Sequence, residues 1–264
     1  MKVKYILPAI ALLSILIGSC KNVIDLKLND ATPQLVIEGN VTDQLGPQAV
    51  TISRSVPLDN TNSFPPVKGA VVTLTDYKGT NYTLIERSPG YYYSSSFLGR
   101  YNEKYSVKVQ LDGKTYTASS TMPAKVTIDS VALSVEHFAS TTTKTIIIFY
   151  QDPPSVSNQY RFILSINGVQ VKQIFARNDQ FNNGRFVQQL LFQDDIPLKS
   201  GDRVDIEMQC IDALMYTYWY TFSQQKANGF NSTTPANPPN NFNVDNVLGY
   251  FSAHTTQHKN IIIP

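Results

Sequence analysis

Tyr105-Ser106-Val107-Lys108-Val109-Gln110-Leu111 runs into Asp112-Gly113 and returns as Lys114-Thr115-Tyr116-Thr117-Ala118. Apolar and polar residues alternate with period two on both sides of the pair, which is the spacing of half-buried strands. Asp-Gly supplies two residues that tolerate positive φ, as a two-residue hairpin turn requires. The stretch therefore predicts a β-hairpin and sets the fold class as mainly β.

The same grammar extends in both directions. Toward the amino end, Val36-Ile37-Glu38-Gly39-Asn40-Val41, Val50-Thr51-Ile52-Ser53 and Val71-Val72-Thr73-Leu74-Thr75 read as strands. A turn at 76–79 leads into Tyr82-Thr83-Leu84-Ile85. About seven short strands in about 90 residues predict an immunoglobulin- or transthyretin-like β-sandwich over 33–123. Met122-Pro123-Ala124 marks the boundary, because proline cannot donate to a ladder. A second β-rich domain is expected over 124–264. There Ile146-Ile147-Ile148-Phe149-Tyr150 is continuous and apolar, as a strand buried on both faces would be. Asn167-Gly168 predicts another hairpin, and 185–192 and 203–211 predict two more strands. The pattern at Leu214-Met215, Tyr218-Trp219 and Phe222 is helical, so one helix is expected over 212–227, with Asp212 as its N-cap. Residues 231–241, rich in Ser, Thr, Pro and Asn, read as a surface loop. Closing strands are expected at 244–251 and 261–263.

The amino end carries a different message. Lys2 and Lys4 precede an apolar run from Ile6 to Ile17, too short for the about 20 apolar residues of a membrane span. It fits a secretory signal over 1–19. Ile17-Gly18-Ser19-Cys20 resembles a bacterial lipobox, which makes Cys20 the expected site of lipidation and 20–32 a tether. Two acyl chains suffice for stable anchoring. Loss of the signal removes Lys2 and Lys4 and takes the 22 basic residues to 20, against 20 acidic. A neutral chain without a basic run offers no electrostatic footprint for nucleic acid. With Cys20 lipidated, Cys210 has no disulfide partner, and its place in the alternation Val204, Ile206, Met208, Cys210 predicts a buried thiol.

Motifs that carry chemistry are sparse. His254 and His258 have the i, i+4 spacing of a helical metal pair, but they stand in a strand-like segment and read as exposed polar residues. Asp194, Asp195, Asp202 and Asp205 read as turn carboxylates rather than as a calcium site. No G-x-S-x-G elbow is present. The expectation is a chain without catalytic residues, metal or cofactor. The aromatics are the suggestive feature: 15 Tyr and 13 Phe accompany a single Trp. Tyrosine joins an apolar face to a polar tip, which suits recognition of a peptide or glycan. The cluster at Tyr216, Tyr218, Trp219 and Tyr220 is the candidate ligand-binding surface, on whichever helix face does not pack inward.

As a whole the chain resembles an uncharacterised Bacteroidota lipoprotein family, domain of unknown function 4249. The resemblance rests on the lipobox with Lys21-Asn22-Val23-Ile24-Asp25-Leu26, on Leu35-Val36-Ile37-Glu38-Gly39, on Pro66-Val67-Lys68-Gly69-Ala70-Val71-Val72 and on Gly90-Tyr91-Tyr92. It continues through Asp152-Pro153, Tyr160-Arg161-Phe162, Asp194-Asp195, Met215-Tyr216-Thr217-Tyr218 and the close Asn246-Val247-Leu248-Gly249-Tyr250-Phe251-Ser252-Ala253. Tyr250 departs from the small or apolar residue common there. The resemblance implies an outer-membrane lipoprotein with an amino-terminal β-sandwich, often encoded beside TonB-dependent receptors, and no established catalytic residues. Lys21 and Asn22 stand where acidic residues mark surface export, so the leaflet it faces stays open. The expected role is a non-enzymatic binding or accessory component of a TonB-dependent uptake system. The alternatives are a structural or adhesive lipoprotein and, third, a hydrolase.

Overall fold

A computed structural model describes residues 32–56, 64–138, 141–225 and 237–264. Cys20, the signal over 1–19 and nearly all of the 20–32 tether lie outside these residues. Residues 33–264 form one compact unit. Its strands, in chain order, are β1 (Leu35–Thr42), β2 (Gly46–Arg54), β3 (Val71–Thr75), β4 (Asn81–Thr83), β5 (Ile85–Ser88), β6 (Tyr91–Phe97), β7 (Lys104–Leu111) and β8 (Lys114–Thr121). The second half adds β9 (Ile128–Phe138), β10 (Thr141–Gln151), β11 (Gln159–Ile166), β12 (Val169–Gln170), β13 (Phe175–Asn178), β14 (Phe186–Leu191) and β15 (Arg203–Ile211). The helix α1 (Ala213–Gln225) and the strand β16 (Val247–Ile262) close the chain.

The chain is mainly β, and three sheets organise it. A nine-stranded sheet runs in the order β12-β11-β15-β16-β1-β2-β6-β5, with β13 on the side of β11. A four-stranded sheet, β4-β3-β7-β8, and a three-stranded sheet, β14-β10-β9, complete it. The long sheet exists because β16 pairs in parallel with β1, Ile37 opposite Gly249 and Val41 opposite Ala253, and antiparallel with β15, Cys210 opposite Thr255. Paired residues share a face. Odd residues of β1 and β16 and even residues of β2, β11 and β15 therefore point the same way, toward the two smaller sheets. Ile37, Val50, Phe251 and Ala253 join Val72, Val107 and Val109 of the four-stranded sheet in one core. Phe162, Met208, Cys210 and Ile263 join Ile146, Ile148 and Val187 of the three-stranded sheet in another.

The amino-terminal sandwich thus takes one of its strands from the carboxyl terminus. A single sheet crosses the expected 123/124 boundary, and the two closing strands expected at 244–251 and 261–263 are one long strand. The crossing depends on small residues. Gly249 has φ +97°, and a Cβ there would lie 2.1 Å from the Ile37 carbonyl oxygen. Gly39 leaves room for the Phe251 ring, which a Cβ would meet at 2.8 Å.

Both predicted hairpin turns have the required backbone: Asp112 and Gly113 have φ 49° and 73°, Asn167 and Gly168 have 50° and 81°. The 146–150 run corrects its reading. Ile146, Ile148 and Tyr150 are buried, whereas Ile147 and Phe149 are only half-buried, with Phe149 stacked on exposed Phe186 at 6.0 Å. The outer side of a small sheet is simply apolar here. Cys210 is buried as expected, accepting from Val126 N–H at 3.3 Å. Burial pushes its thiol up. Among the described residues no helix is long and apolar enough to cross a membrane.

Candidate functional site on the outer face of the long sheet

The opposite face of the long sheet is built differently. Arg161 on β11, Glu207 and Gln209 on β15, Tyr250, Ser252 and His254 on β16 and Glu38 on β1 all point away from the two cores. The register fixes this: Arg161 pairs with Gln209, Gln209 with Thr256, and Glu38 with Tyr250. One helix covers part of this face.

That helix starts where the sequence placed it. Asp212 Oδ1 accepts from Met215 N–H at 2.9 Å, capping the first turn, and the Asp212 carbonyl accepts from Tyr216 N–H at 2.9 Å. The other carboxylate oxygen of Asp212 accepts from the Ser120 hydroxyl at 2.5 Å, while Ser120 Oγ accepts from Ala253 N–H at 2.8 Å. The cap therefore ties α1 to β8 and β16 together. Met215 and Trp219, four residues apart, face the sheet and are buried with Ile211, Ala176 and Tyr250. Residues 226 and 227 of the expected helix lie outside the described residues.

The four candidate residues divide between two faces of α1. Trp219 packs inward: the Arg161 guanidinium lies 3.4 Å from its ring, and Tyr250 meets it at 5.1 Å. Tyr218 flanks this pair, 5.2 Å from Tyr250 and 5.1 Å from Trp219. Tyr216 and Tyr220 stack on each other at 5.5 Å, Tyr216 half-buried against the edge of the same cluster and Tyr220 exposed on the outward side. Sequence reasoning missed the other half of the cluster. Arg161 and Tyr250 lie in segments that carried the family resemblance, yet no local pattern links either to Trp219.

Electrostatics fix what this cluster can do. Burial lowers the Arg161 guanidinium from its ordinary value, but arginine keeps its charge. Its Nη1 donates to Gln209 Oε1 at 3.3 Å, and Gln209 Nε2 donates to Glu207 at 2.7 Å. Burial also raises the hydroxyls of Tyr218 and Tyr250, so both stay protonated and act as neutral donors and acceptors. Beyond Tyr250 the face continues through Glu38, which accepts from the Thr51 hydroxyl at 3.4 Å. Glu38 then lines a cleft of about 340 Å³ with Thr51, Ser53, Phe64, Pro66 and Tyr91. The outer face thus combines a buried cation stacked on an aromatic, neutral phenols beside it and one carboxylate at an open cleft.

His254 corrects its reading as an exposed residue: it is buried, with Nδ1 3.0 Å from Ser252 Oγ. Burial, reinforced by the Arg161 charge and opposed by Asp43, pushes its imidazole down to about 4. It is neutral at pH 7. A serine beside a neutral histidine could suggest a nucleophile, but Ser252 is only 2% exposed and has no approach for a substrate. His258, exposed on the same strand, lies about 13 Å further along, too far to share a metal. The aspartates of 195–205 serve local structure. Asp195 accepts from Lys172 N–H, Asp202 from Asn167 and Lys199, and Asp205 pairs with Arg203. Asp152 accepts from the Tyr160 hydroxyl and from Gly184 N–H, so two of the motifs behind the resemblance meet in the second core. The part of the 231–241 loop up to 236 lies outside the described residues. Asn241 bonds both Ser119 and Phe251 backbone groups.

Among solved structures the chain is similar to a pullulanase from Anoxybacillus sp. LM18-11, at 14% identity and a TM-score of 0.21, over 65% of this chain and 24% of that one. A second structure of a pullulanase from that source, complexed with maltotriose, gives 13% identity, a TM-score of 0.20 and the same coverage. A DUF4785 family protein from Legionella pneumophila gives 14% identity and a TM-score of 0.23, over 67% of this chain and 52% of that one. The chain thus spans between a quarter and about half of the structures it matches. Their TM-scores are too low to assign a shared fold. No curated protein matches the sequence. The sequence profile of a family described only as a domain of unknown function matches residues 21–260, a span that takes in Glu38, Arg161, Trp219 and Tyr250. Over almost its whole length, then, the chain belongs to the DUF4249 family.

Proposed function

We propose that the chain is a lipoprotein of a Bacteroidota-type outer membrane, anchored through Cys20, and that it acts without catalysis as a binding or accessory component of a TonB-dependent uptake system. The anchoring rests on Lys2, Lys4, the apolar run and Ile17-Gly18-Ser19-Cys20. One observation carries the recognition role: beside the buried Arg161–Trp219–Tyr250 cluster, the outer face of the long sheet opens at Glu38 into a cleft that exposes Phe64 and Tyr91. Exposed aromatic side chains such as Phe64 and Tyr91 are enriched at protein recognition surfaces.

The test uses the full chain expressed with its export signal in a host that lipidates. Wild type is expected in the membrane fraction, labelled by radioactive palmitate, and to retain a β-barrel protein after detergent extraction. Cys20→Ala should lose the label and the membrane association. Glu38→Ala with Tyr91→Ala should stay anchored and lose the barrel partner. An unlabelled wild type would remove the anchor. Equal retention of the partner by the double variant would remove the outer face as the recognition surface.

A further inference from the structure

A second cleft, of about 330 Å³, opens at the edge of the amino-terminal sandwich, between the β3–β4 turn and the loop after β6. Its wall is aromatic. Tyr82 stacks on Phe97 at 4.4 Å, Phe97 on Tyr105 at 6.5 Å, and Tyr77 meets Tyr105 edge-on at 6.4 Å. Its rim is cationic. Lys78 Nζ and the Arg100 guanidinium lie 5.5 and 5.7 Å from the Tyr77 ring, and both residues are exposed. Among the described residues neither is in an ion pair.

The acid lining the cleft offsets only one of these two charges. Asp76 Oδ1 accepts from Lys78 and Thr80 N–H, both at 2.9 Å, and Oδ2 accepts from the Tyr82 hydroxyl at 3.2 Å. Its carboxylate serves its own turn. Exposed cation–π contacts are weak, so they leave both cations free to engage an anion.

The walls are also set in advance. Gly79 N–H donates to the Asp76 carbonyl at 3.0 Å, and Asp76 N–H to the Thr80 carbonyl at 3.0 Å. On the other side Gly99 N–H donates to the Thr42 carbonyl at 3.1 Å, and Arg100 N–H to the Tyr105 hydroxyl at 2.7 Å. A Cβ at Gly99 would lie 2.4 Å from the Thr42 oxygen, so only glycine lets this loop sit so close. Walls already ordered lose little entropy on binding.

We propose that this cleft is a second binding site, distinct from the outer face, whose ligand is an acidic saccharide. The partly exposed rings of Tyr77 and Tyr82, backed by Phe97 and buried Tyr105, take the C–H face of a pyranose, and Lys78 with Arg100 takes its carboxylate. A neutral sugar would leave the cations unused, and a bare anion would leave the aromatic wall unused.

The probe is tetragalacturonic acid, with maltotetraose as the uncharged comparison, titrated into the full chain by calorimetry and followed at the amides of Gly79 and Gly99. The acidic tetramer is expected to bind, to shift both amides and to weaken as salt rises, with maltotetraose at least about tenfold weaker. Lys78→Ala with Arg100→Ala should weaken the acidic tetramer about tenfold or more without moving Tm, since both side chains are exposed. The Glu38→Ala and Tyr91→Ala changes should leave this binding intact, which separates it from the outer-face reading. No binding, equal binding of maltotetraose, or binding that survives the double alanine variant would each overturn the proposal.

Discussion

On the inner face of the long sheet, Ile37, Val50, Phe162, Met208 and Phe251 meet two smaller sheets. On the outer face their chain neighbours, Glu38, Thr51, Arg161, Gln209 and Tyr250, meet one another, a helix and a cleft. The same strands build both faces. Inward contacts are apolar and non-directional, so many arrangements of similar volume would serve. Outward contacts are directional: a guanidinium over an indole, an amide bridging Arg161 to Glu207, phenols kept neutral by burial. Both faces contribute to the stability of the fold, the inner one through apolar packing and the outer one through oriented polar and aromatic contacts.

The largest effect is expected where the two faces share a strand. Gly249→Val forces a branched side chain onto φ +97° and against the Ile37 carbonyl, and should cost roughly 4 kcal/mol or more in urea unfolding. If it were tolerated, the parallel β1–β16 seam would not be as tight as described. Next come the two aromatic anchors, one per face. Phe251→Ala and Trp219→Ala should each cost about 3–5 kcal/mol. They should differ in kind: only Trp219→Ala should release Arg161 and change tyrosine fluorescence on the outer face.

The outer face should also respond to pH. His254 has a folded-state value of about 4 against an ordinary 6.5, so the unfolded chain binds its proton first as pH falls. Stability is then complete above pH 6.5 and declines down to about pH 4, by up to roughly 3 kcal/mol from this group. His254→Gln should flatten that slope, whatever it does to stability at pH 7. A smaller loss, about 1–2 kcal/mol, is expected for Asp212→Ala, which removes the helix cap and the bond from Ser120. Tyr220→Ala, on the exposed side of α1, should change stability by less than about 0.5 kcal/mol.

What the sequence made legible follows the same division. Period-two alternation located most inner-face strands, and Asp112-Gly113 and Asn167-Gly168 located their turns, because those features are local. Asp212 announced the helix for the same reason. The register of β16 against β1 was not local, and neither was the meeting of Arg161, Trp219 and Tyr250, which come from three distant segments. The 146–150 run misled because Ile147 and Phe149 are apolar without lying in the core. His254 misled because a histidine in a polar strand-like segment reads as exposed, whereas the fold buries it beside Ser252.

The central claim is that the outer face, rather than the backs of the small sheets, meets the partner. Site-specific photo-crosslinking in native membranes tests it most directly. The photoreactive residue goes at exposed Phe64, Tyr91 and Tyr220 on the outer side, and at exposed Leu190 and Phe192 in and just after β14, on the three-stranded sheet. The account predicts adducts to a membrane β-barrel from the first set and none from the second. Adducts confined to Leu190 and Phe192 would contradict it.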